Sequence, residues 1–298
     1  VGSEMCIRDR DSIENAIMAC MAMGGSTNSL IHVPAMATEA GLDDFDCIGF
    51  FDKASYAVPL LMGVEPNGPH LMEDFERAGG LAALFKTIES KIHADALTVT
   101  GQTLGQRIQD AKVLDETVIH PLSDPISTEG ALAVLRGNIA VDGAIVKQSA
   151  VPACLMKFRG PVVVFEDVDD AIAGLREGKI RAGNVVVIRM QGAKGGPGVV
   201  TTFPFTSELA GTPLYDKVAL VTDGRFSGAT EGASIGYVSP EAALMGPLLI
   251  VEQGDIISYD IDKRTIQLEL SDEEIQRRLD KAELNINYYP GWLGIYQK

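Results

Sequence analysis

The chain has 298 residues, 46% of them hydrophobic and 22% charged, and a formal net charge of −16. That length and apolar share suit a packed protein of two ordinary domains, and the acidic balance leaves no basic face for phosphates, so no nucleic-acid partner is expected. No apolar run reaches the roughly 18 residues of a membrane span, and four scattered cysteines without a C-x-x-C pair read as a reduced, cytoplasmic chain with no disulfide framework.

The opening "VGSEMCIRDR" lacks the apolar core of a signal peptide. It reads as the translated end of a sequencing-library adapter. Residues 1–10 are therefore set aside and are expected to pack against nothing, with the native frame starting near Asp11. Residues 12–23, "SIENAIMACMAM", predict a helix with Ser12 as N-cap. "GGSTN" stops it and leads into a second helix ending at Gly41. A third closes near Pro59, and "HLMEDFERAGGLAALFKTIESK" carries two more, broken at Gly79-Gly80. Met21, Met23 and Met36 are read as core. Residues 11–119 thus read as mostly helical.

The character changes across "VIHPLSDPISTEGA", a Pro/Ser/Asp segment suited to a domain boundary. Beyond it, "ALAVLRGN" and "GAIVKQSAV" flank a predicted hairpin turn at Asp142-Gly143. "PVVVFED", "NVVVIRM", "KVALVTDG" and "PLLIVEQGD" predict strands, and "DIISYDI" with "RTIQLEL" predicts an antiparallel pair. "DVDDAIAGLREG" and "SDEEIQRRLDKAE" predict helices, the latter with a capping box of Ser271 and Glu274. Residues 120–298 read as a β-rich domain, making the chain α/β overall.

Two loops stand out. "QGAKGGPGVV" follows a predicted strand, and its glycines suit either a tight turn or close approach of backbone N–H groups to an anion or partner. "TDGRFSG" also follows a buried strand, where loops present side chains to a site. Ser227 sits there with no His, Lys or Cys in the loop. Serine is a weak base that becomes reactive only where positive charge stabilises its alkoxide. Composition leaves Ser227 open between a turn residue and a catalytic one. The histidines lack metal-ligand spacing, and His32 and His93 are read as ordinary packed or surface residues.

"GGSTN", "MEDFERAGG", "LTVTGQTLG", "HPLSDPISTEGALAVLRGNIAVDGAIVK", "KGGPG", "LVTDGRFSGAT" and "GYVSPEAA" occur in that order. Together they resemble the dihydroxy-acid dehydratase and phosphogluconate dehydratase family, and "DGRFSG" with "VSPEAA" is most similar to the dihydroxy-acid branch. The resemblance implies that residues 11–119 are the mostly helical C-terminal part of the family's α/β N-terminal domain, and that 120–298 form a swivelling β/β/α domain. It also implies a hydro-lyase of the branched-chain amino-acid biosynthesis type, with an iron–sulfur cluster and Mg²⁺. Such an enzyme takes a small dihydroxy acid to a 2-keto acid, and the expected full-length form is a homodimer. Ser227 matches the family's base.

Two departures follow. Cys20, Cys47 and Cys154 do not match the family's cluster motifs, so this chain is expected to supply no cluster ligand. The family's magnesium-binding glutamate position after "GGPG" holds Thr201, a poorer Mg²⁺ ligand than a carboxylate, and Glu208 is the nearby acid that could substitute. Neither cofactor is expected to be fully ligated here. The chain is expected to be a C-terminal portion, silent by itself. An aldonic or sugar-acid dehydratase of the same family, and a non-catalytic binding or regulatory relative, remain the alternatives.

Overall fold

The structure, a computed structural model, describes residues 7–65 and 68–297. The chain divides into two compact units, Val1–Ala133 and Val134–Lys298.

The first unit is helical. α1 spans Arg10–Ala22, α2 Ser29–Glu39, α3 Cys47–Ala57, α4 Met72–Arg77, α5 Gly80–Thr87 and α6 Leu104–Ile108. Apolar residues at helical spacing put Ile13, Ile17, Met18 and Met21 on the buried face of α1. Phe51 of α3, Leu61, Met62 and Leu84 of α5 are likewise fully enclosed. Gly79 and Gly80 both adopt positive φ, which ends α4 and starts α5. Met21 is core, but Met36 is 57% exposed, because the outer face of α2 carries it.

The start of α1 corrects the expectation that residues 1–10 pack against nothing. Residues 1–6, Met5 and Cys6 among them, lie outside the described residues. Asp9, however, is the N-cap, accepting the Ser12 N–H at 2.8 Å. Arg10 donates to Glu14 at 2.7 Å and lies 5.0 Å over the Phe45 ring. The predicted cap, Ser12, falls inside the helix, because an acidic side chain one turn earlier already takes the free amide.

The second unit is a closed eight-stranded barrel in the order β1-β2-β6-β5-β4-β3-β7-β8. Its strands are β1 Ala133–Gly137, β2 Ala140–Val146, β3 Lys157–Phe165, β4 Val185–Ile188, β5 Ala219–Thr222, β6 Ala233–Ser239, β7 Ile256–Asp260 and β8 Thr265–Leu268. β3, β4, β5 and β6 run parallel. β4 and β5 are buried along their whole length, which explains their unbroken β-branched and apolar sequences. α7 (Val168–Arg176) and α8 (Phe203–Ala210) cover this sheet, packing Ala171, Leu175, Phe205 and Leu209 on Val186, Ile188 and Leu220.

Three local predictions change. Asp142-Gly143 is no hairpin turn; both lie inside β2, where the pairing with β6 shifts register at Gly143, whose φ is +125°. The chain reverses between β1 and β2 at residues 138–139. "PLLIV" forms a 3₁₀ turn over Pro247–Ile250 rather than a strand, with Leu248 and Ile250 buried. In the last helix, α9 (Asp272–Leu279), Ser271 caps Glu274 N–H, but the Glu274 carboxylate goes to Arg277 and Arg278, so the capping box is half formed.

Candidate active site

Three sequence motifs leave the carboxyl ends of neighbouring parallel strands. "QGAKGGPG" follows β4, "DGRFSG" follows β5 and "PEAA" follows β6. Carboxyl ends of parallel strands are where α/β sheets present loops to ligands. Two buried carboxylates join the three loops. Asp223, 3% exposed, accepts the N–H groups of Gln191 at 2.9 Å, Met190 at 3.2 Å and Ala242 at 2.9 Å. Glu241 accepts from Lys194 at 2.8 Å and Gly195 at 3.3 Å.

These contacts set the sequence of the glycine loop. A Cβ on Gly192 would lie 1.8 Å from the Glu241 carboxylate, so only glycine admits that approach. Burial pushes the Asp223 carboxyl up to about 6; its backbone hydrogen bonds pull the other way, and the Glu241 charge adds to the rise.

Ser227 lies on the crossover that returns from β5 to β6. Phe226, 2% exposed, anchors the segment, stacking tilted against Tyr237 at 6.2 Å, and Tyr237 N–H donates to Gly224. Thr230, also buried, meets Thr206 of α8 at 3.3 Å. Between these anchors Ser227 is half-buried, and its hydroxyl oxygen accepts the Ala229 N–H at 3.1 Å. The Lys147 ammonium, itself 5% exposed, donates to the Gly228 carbonyl at 2.9 Å.

Thr201 is exposed and pairs with Arg225, two residues before Ser227. Arg225 accepts from the Thr202 N–H at 2.7 Å and donates its own N–H to Val200 and its guanidinium to Val199, both at 3.0 Å. Thr201 is therefore paired with the segment that carries Ser227. Thr201 also lines a cavity of about 1040 Å³ with Arg189, Gln191, Gly195, Glu252 and Tyr289. Both oxygens of Glu208 go to Arg176 of α7, at 2.6 and 2.7 Å.

These residues do not fit a magnesium site. The two buried carboxylates of these loops, Asp223 and Glu241, are committed to backbone N–H groups, and Thr201 offers a hydroxyl. They do not fit a cluster either. Among the described residues one group of three or more His, Cys, Asp or Glu side chains has ligand atoms mutually within 4.8 Å, Asp11, Glu14 and His93, and it holds no cysteine. In that group the Glu14 carboxylate is shared by Arg10 and His93 Nε2, each at 2.7 Å. Cys20 donates to Ser29, Cys154 to the Asp216 carbonyl, and burial pushes the Cys47 thiol up. His32 is exposed, whereas His93 is tied to α1.

A barrel whose glycine- and acid-bearing loops leave neighbouring parallel strands and are joined by buried carboxylates has loops placed where such sheets bind small molecules. Residues 117–298 match the dihydroxy-acid/6-phosphogluconate dehydratase C-terminal family and residues 4–107 its N-terminal counterpart. The chain belongs to the dihydroxy-acid/6-phosphogluconate dehydratase family. It is 49% identical over 273 residues to the dihydroxy-acid dehydratase of Caldicellulosiruptor saccharolyticus, covering 91% of this chain and 49% of that protein. It is 47% identical over 274 residues to that of Ignicoccus hospitalis (91% and 49%). Against that of Methanothermobacter thermautotrophicus it is 43% identical over 293 residues (98% and 53%). The chain spans about half the length of these relatives.

Sequence reasoning singled out Ser227 and the three loops but gave no role to Asp223, Glu241 or Lys147. Glu241 stood in a recognised motif. Lys147 had one signal, a lysine directly after the apolar run "AIV".

Proposed function

We propose that this chain carries the base and loop framework of a hydro-lyase that converts a 2,3-dihydroxy carboxylic acid to a 2-keto acid. The observation that supports it is the anchored crossover carrying Ser227, tied through Arg225 to residues 199–202 at the end of the glycine loop. Ser227, as alkoxide, takes the C2 proton. The C2–C3 double bond forms as the C3–O bond breaks, and the serine's proton goes to the departing hydroxide, so that water leaves. The resulting enol tautomerises to the 2-keto acid. No step is assigned to a metal, because the residues present do not fit one. The barrel unit corresponds in this reading to a swivelling β/β/α domain, and the substrate is of the branched-chain amino-acid precursor type. A sugar-acid substrate is separated from it by a substrate panel.

Thr201 favours a second reading, a relative that keeps the fold without turnover. Both readings meet the same experiment. Residues 11–298 are placed behind the N-terminal half of the Caldicellulosiruptor saccharolyticus protein, and turnover of dihydroxy acids is followed. With serine as proton acceptor, Ser227→Ala lowers kcat by about 10³-fold or more, with KM little changed. Near-normal turnover by Ser227→Ala assigns the base elsewhere, and an inert parent chimera supports the second reading.

A further inference from the structure

The Ser227 loop contains no cation of its own besides Arg225, whose guanidinium reaches back to the Val199 carbonyl. A cation reaches the other side of the serine from a strand 80 residues earlier. β2 ends at Val146, and the next residue, Lys147, is 5% exposed. A buried ammonium is costly unless hydrogen-bonded, and one of its bonds runs to the Gly228 carbonyl, the peptide directly after Ser227. The same segment grips the loop a second time, because the Gly232 N–H donates to the Ala150 carbonyl at 3.2 Å. Residues 147–150 therefore bracket the segment from Gly228 to Gly232. The Ser227 hydroxyl is oriented from within that bracket, by the Ala229 N–H.

We infer that Lys147 is a positioning residue for Ser227: its ammonium fixes the Gly228 carbonyl, so setting the serine hydroxyl, and its buried charge favours the alkoxide form. The proposal rests on Ser227 being the base. A nearby positive charge in a low-dielectric setting stabilises an anion more than the same charge in water. Holding the next peptide also removes the reorganisation that a mobile loop would require.

Two measurements test this. The first uses the 298-residue chain and reads amide hydrogen exchange. In Lys147→Met, exchange at Ala229 and Thr230 should quicken about tenfold or more while β4 and β5 keep their protection; unchanged exchange at the loop overturns the positioning role. If Lys147→Met loses protection in β4 and β5 as well, Lys147→Arg, which keeps charge and donor, must retain the loop's protection; loss there too overturns the role. The second uses the chimera described above, with Ser227→Ala alongside. Lys147→Met, or Lys147→Gln if the former does not fold, should lower kcat about 100-fold with KM within about threefold. The rising limb of its kcat–pH profile should move to higher pH, because the base has lost a stabilising charge, and Lys147→Arg should recover at least about tenfold of the rate. A neutral variant with kcat within threefold, or with an unmoved profile, overturns the proposal. If Ser227→Ala itself turns over normally, the serine reading fails first, and the hydrogen-exchange result alone then decides the positioning role.

Discussion

In residues 7–133 the family motifs close turns, whereas in residues 134–297 they are held against one another by buried charge. Gly79 and Gly80 of "MEDFERAGG" separate two short helices, and "GGSTN" links α1 to α2. The surrounding core is apolar, with Phe51 and Met21 fully enclosed. In the barrel unit Gly192 of "QGAKGGPG" is packed on Glu241, and Asp223 binds three amides from two other segments. Burying a carboxylate is unfavourable unless several donors meet it. The barrel carries that cost where loop shape matters; the buried carboxylate of the helical unit, Glu14, meets the side chains of Arg10 and His93 instead of motif amides. Equal motif density therefore has two meanings: local geometry in one region, long-range assembly of a site in the other.

The sharpest way to break this comparison is Asp223→Ala. It leaves the Met190, Gln191 and Ala242 amides without their acceptor inside the protein. An orphaned buried donor costs about 1–3 kcal/mol, so the three together should destabilise the barrel unit by roughly 5 kcal/mol. Hydrogen exchange should show the loss across 190–200 and β5, with α1 and α3 unchanged. A variant that melts like the parent would mean the clamp is not what holds the loops.

A smaller effect follows from the same carboxyl as pH changes. Asp223 is pushed up to about 6 in the folded protein, chiefly by burial, against a usual value near 4. The folded state thus holds this proton more tightly than the unfolded state. The stability linked to it is fully present below about pH 4 and is lost as pH rises through about 6. The barrel unit should gain stability from this group as pH falls from 7 towards 4, and Asp223→Asn should flatten that slope while lowering stability throughout. A carboxyl ¹³C resonance of Asp223 titrating near 4 would remove the basis for both statements.

How much of this was legible in the sequence depends on distance along the chain. β4 and β5 were readable because strands buried on both faces are continuous runs such as "VVVI" and "ALVT". β6 was missed: "ASIGYVS" carries Gly236, whose absent side chain admits the Phe226 ring, a contact no local pattern shows. "PLLIV" was misread because a short apolar run looks alike in a strand and in a buried turn. Ser227 came from resemblance and strand-end position together. The groups around it did not, since Lys147 and Gly228 are separated by 81 residues, and Asp223 and Gln191 by 32. No window of sequence contains such pairs.

The smallest expected effect concerns the acid that sequence reasoning offered in place of a glutamate at 201. Glu208 lies on α8, seven residues past Thr201, and its carboxylate forms a two-pronged pair with the exposed Arg176. That pairing holds the carboxyl below its usual range. A carboxylate already satisfied by a guanidinium has little left for a cation, and an exposed ion pair adds little to stability because water screens it. Glu208→Gln should therefore leave the thermal midpoint of the 298-residue chain unchanged within error. In the chimera it should leave turnover and any Mg²⁺ requirement unchanged. Arg176→Ala, which frees the carboxylate, gives the stricter version. If release of Glu208 lowers the Mg²⁺ concentration needed for half-maximal activity, the carboxylate can reach the cation. The barrel would then have a second charged element besides the Asp223–Glu241 clamp serving its site.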